Sequence, residues 1–181
     1  MARVSLLEEK DVAESADLIE TIRSGRRGNL LNIYRLLLHS PPLAGAWFEL
    51  LNAVRWKTKL EGRLREIVII RVAYLNRAQY CLVQHIPALA LADGLSLAEC
   101  DALADWRAGS FFCESERAAL AYTDAMTRDI AVPDAVFAEL RRHFDERRVV
   151  ELSVLIGAYN MHTRVQEALK LDLEKPKPVS A

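Results

Sequence analysis

The sequence predicts an all-α protein of about eight or nine helices with no sheet. Apolar residues recur at spacings of three and four, which places them on one helical face, as at Leu152, Leu155, Ile156 and Tyr159. No stretch alternates apolar and polar residues as a half-buried strand would, and no repeat of fixed period is present. The turns between segments are short, which favours antiparallel packing of neighbouring helices.

In the first third of the chain, the predicted helices carry start and stop signals. Asp11 with Glu14 three residues later forms a capping box, which predicts a helix that stops at Gly25. Ser40 before Pro41 predicts an N-cap, with proline at the first position of another helix.

The other helices are separated by polar or glycine-containing turns. A short helix is predicted from about Leu30 to His39, and a buried pair of helices follows and ends at a left-handed cap at Gly94. The next helix starts with a Ser96–Glu99 capping box and carries Cys100 and Trp106. Three more follow: one capped near Ser115 that runs to about Arg128, one from Val132 to near His143, and a last long helix from Asp145. We expect residues 1–28 to form an N-terminal helical arm, residues 29–174 the main domain, and residues 175–181, with two prolines, a disordered tail.

Composition limits the classes of protein to which the chain can belong. A length of 181 residues suits one domain that buries roughly 70% of its unfolded surface, so neither a disulfide nor a metal is needed for stability. A net charge of -1 gives no general reason to bind nucleic acid or an anionic membrane. Because neither a signal peptide nor a run of roughly 18 apolar residues is present, the chain is expected to be cytoplasmic. Three cysteines without paired spacing agree with that reducing compartment.

One stretch, residues 64–85, contains the residues suited to chemistry. Its first half is apolar on nearly every side, which predicts a helix buried all round, with Glu66 as its only acid. A carboxylate buried there needs a partner or a proton. After a polar break, Cys81 lies in the first turn of a second helix, and His85 follows four residues later on the same face. First-turn amides and a protonated His85 would stabilise a Cys81 thiolate.

The order Glu66, Ala78, Cys81, His85 resembles the pattern of the carboxymuconolactone decarboxylase and alkylhydroperoxidase D-like (AhpD-like) family. That pattern is a glutamate, a CxxC pair and a histidine four residues after the second cysteine, and Ala78 stands where the first cysteine is expected. The resemblance covers roughly residues 29–174 and implies the AhpD-like helical fold. It also implies an enzyme that uses no metal and no organic cofactor, and that assembles as a dimer, trimer or hexamer.

The activity implied by the resemblance is that of a thiol-dependent peroxidase. Cys81 would reduce a hydroperoxide while His85 and Glu66 relay the proton. With alanine at the first position of the CxxC pair, no disulfide can form there, so an external thiol would regenerate Cys81. Tyr80 and Gln84 border the site and are expected to line the substrate pocket.

Two alternatives stay open. In the first, the protein is a cofactor-free decarboxylase or isomerase of a small carboxylated lactone, His85 and Glu66 perform acid–base catalysis, and Cys81 only lines the pocket. In the second, it is a non-catalytic binding protein of the same fold. Cys100 and Cys113 have no comparable neighbours and are expected to be packing residues. Pro87 removes a backbone amide just after the site and should kink or restart the helix.

Overall fold

The computed structural model describes residues 2–175, and within them it contains nine α-helices and no β-strand, which confirms the all-α prediction. The α-helices are α1 (Ala16–Ser24), α2 (Asn32–Leu37), α3 (Pro41–Trp56), α4 (Gly62–Leu75), α5 (Gln79–His85), α6 (Leu97–Ala102), α7 (Glu114–Arg128), α8 (Asp134–His143) and α9 (Glu146–Ala168). Short 3₁₀ segments cover Glu9–Ser15 and Leu103–Asp105, and a π-helical turn covers Ile86–Ala90. The tail predicted to be disordered lies, apart from Lys175, outside the described residues. None of the described helices is both long and apolar enough to cross a membrane.

The described residues fall into two compact units. The first comprises residues 2–51 and 168–175, and the second comprises residues 52–167. In the first unit, the buried guanidinium of Arg26 donates a hydrogen bond of 2.7 Å to the Tyr34 hydroxyl and lies 4.6 Å from the centre of the Phe48 ring.

The second unit is built around α4, which packs against α5, α7 and the 3₁₀ segment Leu103–Asp105. Six of its apolar side chains are completely buried, namely Ile67, Val68, Ile69, Ile70, Val72 and Ala73. This is the all-round burial that the unbroken apolar run predicts. Cys100 packs in the same core, as expected, whereas Cys113 is exposed and is therefore not the packing residue that the sequence suggested.

A buried ion pair ties α4 to α7. Arg71 donates to both oxygens of Asp124, at 2.5 and 3.0 Å, and also to the carbonyls of Leu103 and Ala104, at 2.8 and 2.9 Å. Asp124 accepts further hydrogen bonds from Trp106 and Arg107. Every polar atom of this cluster therefore has a partner, which is the condition for burying charge without a large penalty.

Most predicted helix ends agree with the structure, and the exceptions have local causes. The side chain of Asp11 accepts a hydrogen bond from the Glu8 amide, so the capping box lies one turn earlier than predicted. Val12, at φ -141° and ψ 44°, interrupts the helix there. Trp106 lies beyond the end of α6, and Cys113 rather than Ser115 occupies the N-cap of α7.

Candidate active site

Glu66 of α4 and His85 of α5 form a hydrogen-bonded pair in the interior of the second unit. Glu66 Oε2 lies 2.6 Å from His85 Nδ1, and the two residues are 0% and 4% exposed. Arg65 approaches the other oxygen, Glu66 Oε1, with its Nε at 3.4 Å. The buried carboxylate that the sequence left in need of a partner therefore has two.

The turn between α4 and α5 brings these side chains together. It spans Asn76–Ala78, with Arg77 in the left-handed region at φ 57°, and the Ala78 amide bonds back to the Ala73 carbonyl at 2.8 Å. Asn76 donates to side chains of α9, Asn160 and Thr163, each at 2.9 Å. Anchored in this way, the turn folds α5 back along α4, so that His85 meets Glu66 from nineteen residues away.

The protonation states of the pair follow from its neighbours. Burial alone raises the pKa of the Glu66 carboxyl, but His85, Arg55 and Arg65 together outweigh it and hold that pKa below its usual value. Burial, together with the charges of Arg55 and Arg65, lowers the pKa of His85 and outweighs the opposing effect of Glu66. Near neutral pH, Glu66 is therefore ionised and accepts a hydrogen bond from the Nδ1–H of a neutral His85 imidazole.

Tyr159 of α9 lies at the opposite side of the imidazole. Its hydroxyl is 3.3 Å from His85 Nε2, and the two rings meet edge to face with their centroids 5.4 Å apart. Because Nδ1 carries the proton given to Glu66, Nε2 is the acceptor nitrogen and the Tyr159 hydroxyl is the donor. The rings of Tyr159 and His162 also lie with their centroids 5.6 Å apart, and His162 is buried beside the site.

Cys81 is the third residue of α5, in the first turn as predicted, and is 1% exposed. Burial is the main reason why the pKa of its thiol is raised, and the charge of Glu66 raises it further, while Arg55 opposes both. The thiol is therefore protonated in this arrangement, and a resting thiolate held by the helix amides and a cationic His85 finds no support here. Any thiolate must form during a reaction, with a base taking the proton.

The structure also gives positions for Tyr80, Gln84 and Pro87. Tyr80 is buried directly before Cys81, and Gln84 is partly buried directly before His85. Regular α-helical structure ends at His85, and Pro87 lies in the π-helical turn that follows, in agreement with the predicted break. No cluster of three or more residues of metal-binding type occurs among residues 2–175.

Sequence reasoning missed three residues of this site, Arg55, Arg65 and Tyr159, as partners of the central pair. In the sequence, Tyr159 is assigned only to the apolar face of α9, and nothing marks Arg65 beyond its position next to Glu66. Arg55 lies on α3, more than ten residues before Glu66, with no spacing that links it to α4 or α5. The signal that could have drawn attention to Arg65 is the need of a buried acid for a buried cation.

Sequence comparison connects the chain with a known family. Residues 41–125 match the model of the carboxymuconolactone decarboxylase family. The chain is 30% identical over 119 residues to the uncharacterized protein YnjA of Escherichia coli (strain K12). This match covers 65% of this chain and 64% of YnjA. The chain is also 28% identical over 119 residues to the uncharacterized protein YdfG of Bacillus subtilis (strain 168). That match covers 62% of this chain and 78% of YdfG. The match thus spans slightly less than two thirds of the length of YnjA.

Solved structures share the fold. A protein of unknown function from Agrobacterium tumefaciens, for which an antioxidant defence role of the AhpD type has been suggested, matches with a TM-score of 0.72 and 29% identity over 76% of this chain and 94% of that one. An AhpD core from Ralstonia eutropha JMP134, an uncharacterized peroxidase-related protein, matches with a TM-score of 0.81 and 20% sequence identity. The match covers 96% of this chain and 92% of that one. The debrominase Bmp8, as a cysteine-to-alanine variant in complex with 2,3,4-tribromopyrrole, matches with a TM-score of 0.79 and 21% sequence identity. The match covers 96% of this chain and 94% of that one.

The last two structures are too distant in sequence to show more than the fold. The family model, the Agrobacterium structure and the retained order of Glu66, Cys81 and His85 agree with one another. By sequence over residues 41–125, and by fold, the chain is similar to the carboxymuconolactone decarboxylase (AhpD-like) family.

Proposed function

We propose that this protein is a thiol-dependent peroxidase in which Cys81 is the nucleophile. The observation that supports the proposal is the buried pair of His85 and Glu66, which holds a neutral imidazole on the helical face that also carries Cys81. His85 Nε2 accepts from the Tyr159 hydroxyl in this structure, so that hydroxyl must turn away or relay the proton when His85 acts on the thiol. A neutral imidazole oriented by a carboxylate is suited to remove the proton of a buried thiol, in the way that a carboxylate orients histidine in other nucleophilic enzymes.

In the proposed reaction, His85 takes the thiol proton and the Cys81 sulfur attacks the terminal oxygen of the hydroperoxide. A sulfur–oxygen bond forms and the oxygen–oxygen bond breaks. The departing alkoxide takes the proton from His85 and leaves as an alcohol, while Cys81 becomes a sulfenic acid. Glu66 remains ionised and stabilises the imidazolium between the two proton transfers.

Regeneration then needs two external thiols. The first displaces water from the sulfenic acid and forms a mixed disulfide with Cys81, and the second releases Cys81 as a thiol together with an external disulfide. Within the chain, Ala78 replaces the nearest candidate for a resolving thiol, and Cys100 is buried in the core. The proposed cycle uses no metal and no organic cofactor.

Mass spectrometry after brief exposure to one equivalent of an organic hydroperoxide, with a sulfenic-acid trap present, tests the proposal. We expect rapid labelling of Cys81, slow labelling of Cys113, and only the slow labelling in Cys81→Ser. Cys113 is the exposed thiol and Cys81 the buried one, so faster reaction at Cys81 cannot result from access. Equal labelling of all three cysteines, or preferential labelling of Cys113, would contradict the proposal.

A second candidate is acid–base catalysis on a small carboxylated lactone, as a cofactor-free decarboxylase or isomerase. The raised pKa of Cys81 favours it, because a thiol that resists ionisation is a poor resting nucleophile and a suitable wall of a pocket. The two candidates separate on one variant. Cys81→Ser would abolish peroxide reduction but leave acid–base activity largely intact, whereas His85→Ala would remove both.

We also propose that the chain forms a homo-oligomer. Val150, Val154 and Met161 lie along one face of α9 and are 62%, 47% and 36% exposed, which leaves an apolar strip on the second unit. Light scattering on the eluted protein should give a multiple of 20.4 kDa. A monomer at micromolar concentration would refute the proposal, and Val154→Glu should weaken any assembly that uses this face.

A further inference from the structure

Arg55, near the end of α3, is a buried cation with an unmet hydrogen-bonding requirement. It is 9% exposed, and its Nε–H has no hydrogen-bond partner among residues 2–175. The two other buried arginines of this unit differ in this respect. Arg65 bonds to Glu66, Asp93 and the Arg55 carbonyl, and Arg71 bonds to Asp124 and two further carbonyls.

Arg55 lies next to the candidate active site. Its backbone carbonyl accepts a hydrogen bond of 3.0 Å from Arg65 Nη1, and Arg65 in turn contacts Glu66. The positive charge of Arg55 lowers the pKa of Glu66, His85 and Cys81, which shows that the guanidinium lies within electrostatic range of all three.

One side of Arg55 is close to solvent. Its guanidinium carbon lies 4.7 Å from the centre of the Trp56 ring, and the guanidinium of Arg65 lies 4.6 Å from the same ring. The Trp56 residue is 52% exposed. The Arg55 guanidinium therefore packs against an indole that is itself half exposed at the surface.

Glu66 does not meet the requirement of Arg55. Its two oxygens already accept from His85 and Arg65, and no hydrogen bond joins it to Arg55 among the described residues. An unpaired donor on a buried cation is costly, and the group that best satisfies a guanidinium is a planar carboxylate, which accepts two parallel hydrogen bonds. A phosphate would instead bring two negative charges towards Glu66 and Asp93.

We propose that Arg55 binds a carboxylate group of the substrate, so that the hydroperoxide reduced at Cys81 is one carried by a carboxylic acid. The part of this inference that concerns the peroxide rests on the proposed function. The part that concerns carboxylate binding does not, since it follows from the unmet donor of Arg55 and its position beside Trp56 and Arg65. Arg55 thereby determines specificity and leaves proton transfer to His85 and Glu66.

A binding experiment tests the carboxylate directly. Trp56 fluorescence, assigned by its loss in Trp56→Phe, should change saturably when propionate is added and should not change with propionamide. Arg55→Gln should abolish the response, and Arg147→Gln, which alters an exposed arginine of α9, should retain it. An equal response in Arg55→Gln, or to propionamide, would overturn the inference. Far-UV circular dichroism confirms that Arg55→Gln is folded.

A kinetic experiment tests specificity. The rate of Cys81 oxidation is measured with a hydroperoxide of a carboxylic acid and with the methyl ester of the same compound. Because the acid can form a charge-assisted hydrogen bond with Arg55 and the ester cannot, the wild type should react about 10- to 100-fold faster with the acid. Arg55→Gln should bring the ratio of the acid rate to the ester rate close to one, whatever its effect on both rates, and Arg55→Lys should retain part of the preference.

The two experiments separate the two proposals. A preference that survives Arg55→Gln would refute a role of Arg55 in substrate recognition. If neither hydroperoxide oxidises Cys81, the peroxidase proposal fails, and the fluorescence titration then decides by itself whether Arg55 binds carboxylates.

Discussion

Replacing Glu66 by glutamine tests the central pair with almost no change in shape. The wild-type carboxylate accepts from two donors, His85 Nδ1 at 2.6 Å and Arg65 Nε at 3.4 Å. A glutamine can accept only at its single oxygen, so its NH₂ group must face one of these donors. The substitution therefore removes a charge, breaks a charge-assisted hydrogen bond and sets two donors against each other.

The expected loss of stability follows from these contacts. A charge-assisted hydrogen bond contributes about 1.5–3 kcal/mol, and breaking a buried ion pair costs about 3–5 kcal/mol. Arg65 keeps Asp93 and the Arg55 carbonyl, so the lower range applies. We expect Glu66→Gln to lower the free energy of unfolding by about 2–3 kcal/mol, or the melting temperature by about 4–12 °C for a chain of this size.

Urea unfolding at pH 7, followed by circular dichroism, measures this loss. The chain contains a matched control, because Glu139 pairs with His143 at 3.1 Å, at the same Glu–His contact but on an exposed helix surface. Glu139→Gln should leave the midpoint within error of the wild type. If the midpoint of Glu66→Gln falls no further than that of the control, Glu66 is not an ionised, paired carboxylate in the folded protein.

Three further predictions concern stability. Since the folded-state pKa of His85 lies below its unfolded value of 6.5, the unfolded chain binds more protons, and this part of the stability, present above pH 6.5, should be lost as the pH falls. His85→Gln should flatten the pH dependence of the unfolding free energy below pH 6.5, and an unchanged slope would refute the assignment. Asp124→Asn should cost about 3–5 kcal/mol in urea unfolding, because Arg71 would keep a buried charge without its anion, and a loss no larger than that of an exposed acid would contradict this view. Gly94→Ala should cost about 1–2 kcal/mol because Gly94 has a φ of 87°, whereas Gly45→Ala within α3 should be neutral or stabilise by up to about 1 kcal/mol, so equal effects would count against the backbone explanation.

The sequence predicted well those features that depend on neighbours along the chain. The Ser96–Glu99 capping box is formed by two reciprocal hydrogen bonds, Gly94 adopts the left-handed conformation, and α3 begins at Pro41. Each of these signals acts over three or four residues, so the chain itself contains the whole interaction. The contact of Glu66 with His85 was within reach for a related reason, because one short turn joins their helices.

Features that depend on distant packing were not predictable in the same way. Tyr159 reaches His85 across 74 residues, and Arg55 approaches the site from a helix whose pattern indicates only an apolar face. Burial also reversed one expectation. The first-turn position of Cys81 suggested a thiolate, but desolvation and the charge of Glu66 outweigh the helix terminus, and neither effect is visible in the local sequence.

Ala78 stands where the first cysteine of the CxxC pattern is expected, so that cysteine can be restored by a single substitution. It is the N-cap of α5 and Cys81 is the third residue, so their side chains lie on the same side of the first turn, at the spacing of a CxxC disulfide. Ala78 is completely buried, and the added sulfur of Ala78→Cys should cost about 1–3 kcal/mol through overpacking.

The expected gain is an internal route for resolving the oxidised thiol. Exposure of Ala78→Cys to one equivalent of hydroperoxide should remove two thiols and lower the mass by two hydrogens, with a disulfide to Cys81 in the digest and less trapped sulfenic acid. Ala78→Ser adds an atom of similar size without the thiol and should behave like the wild type. If Cys81 is oxidised but no internal disulfide forms in Ala78→Cys, the first turn of α5 does not have the CxxC geometry. The absence of a first cysteine would then be a consequence of the backbone, and external thiols would be the only resolving partners that this site accepts.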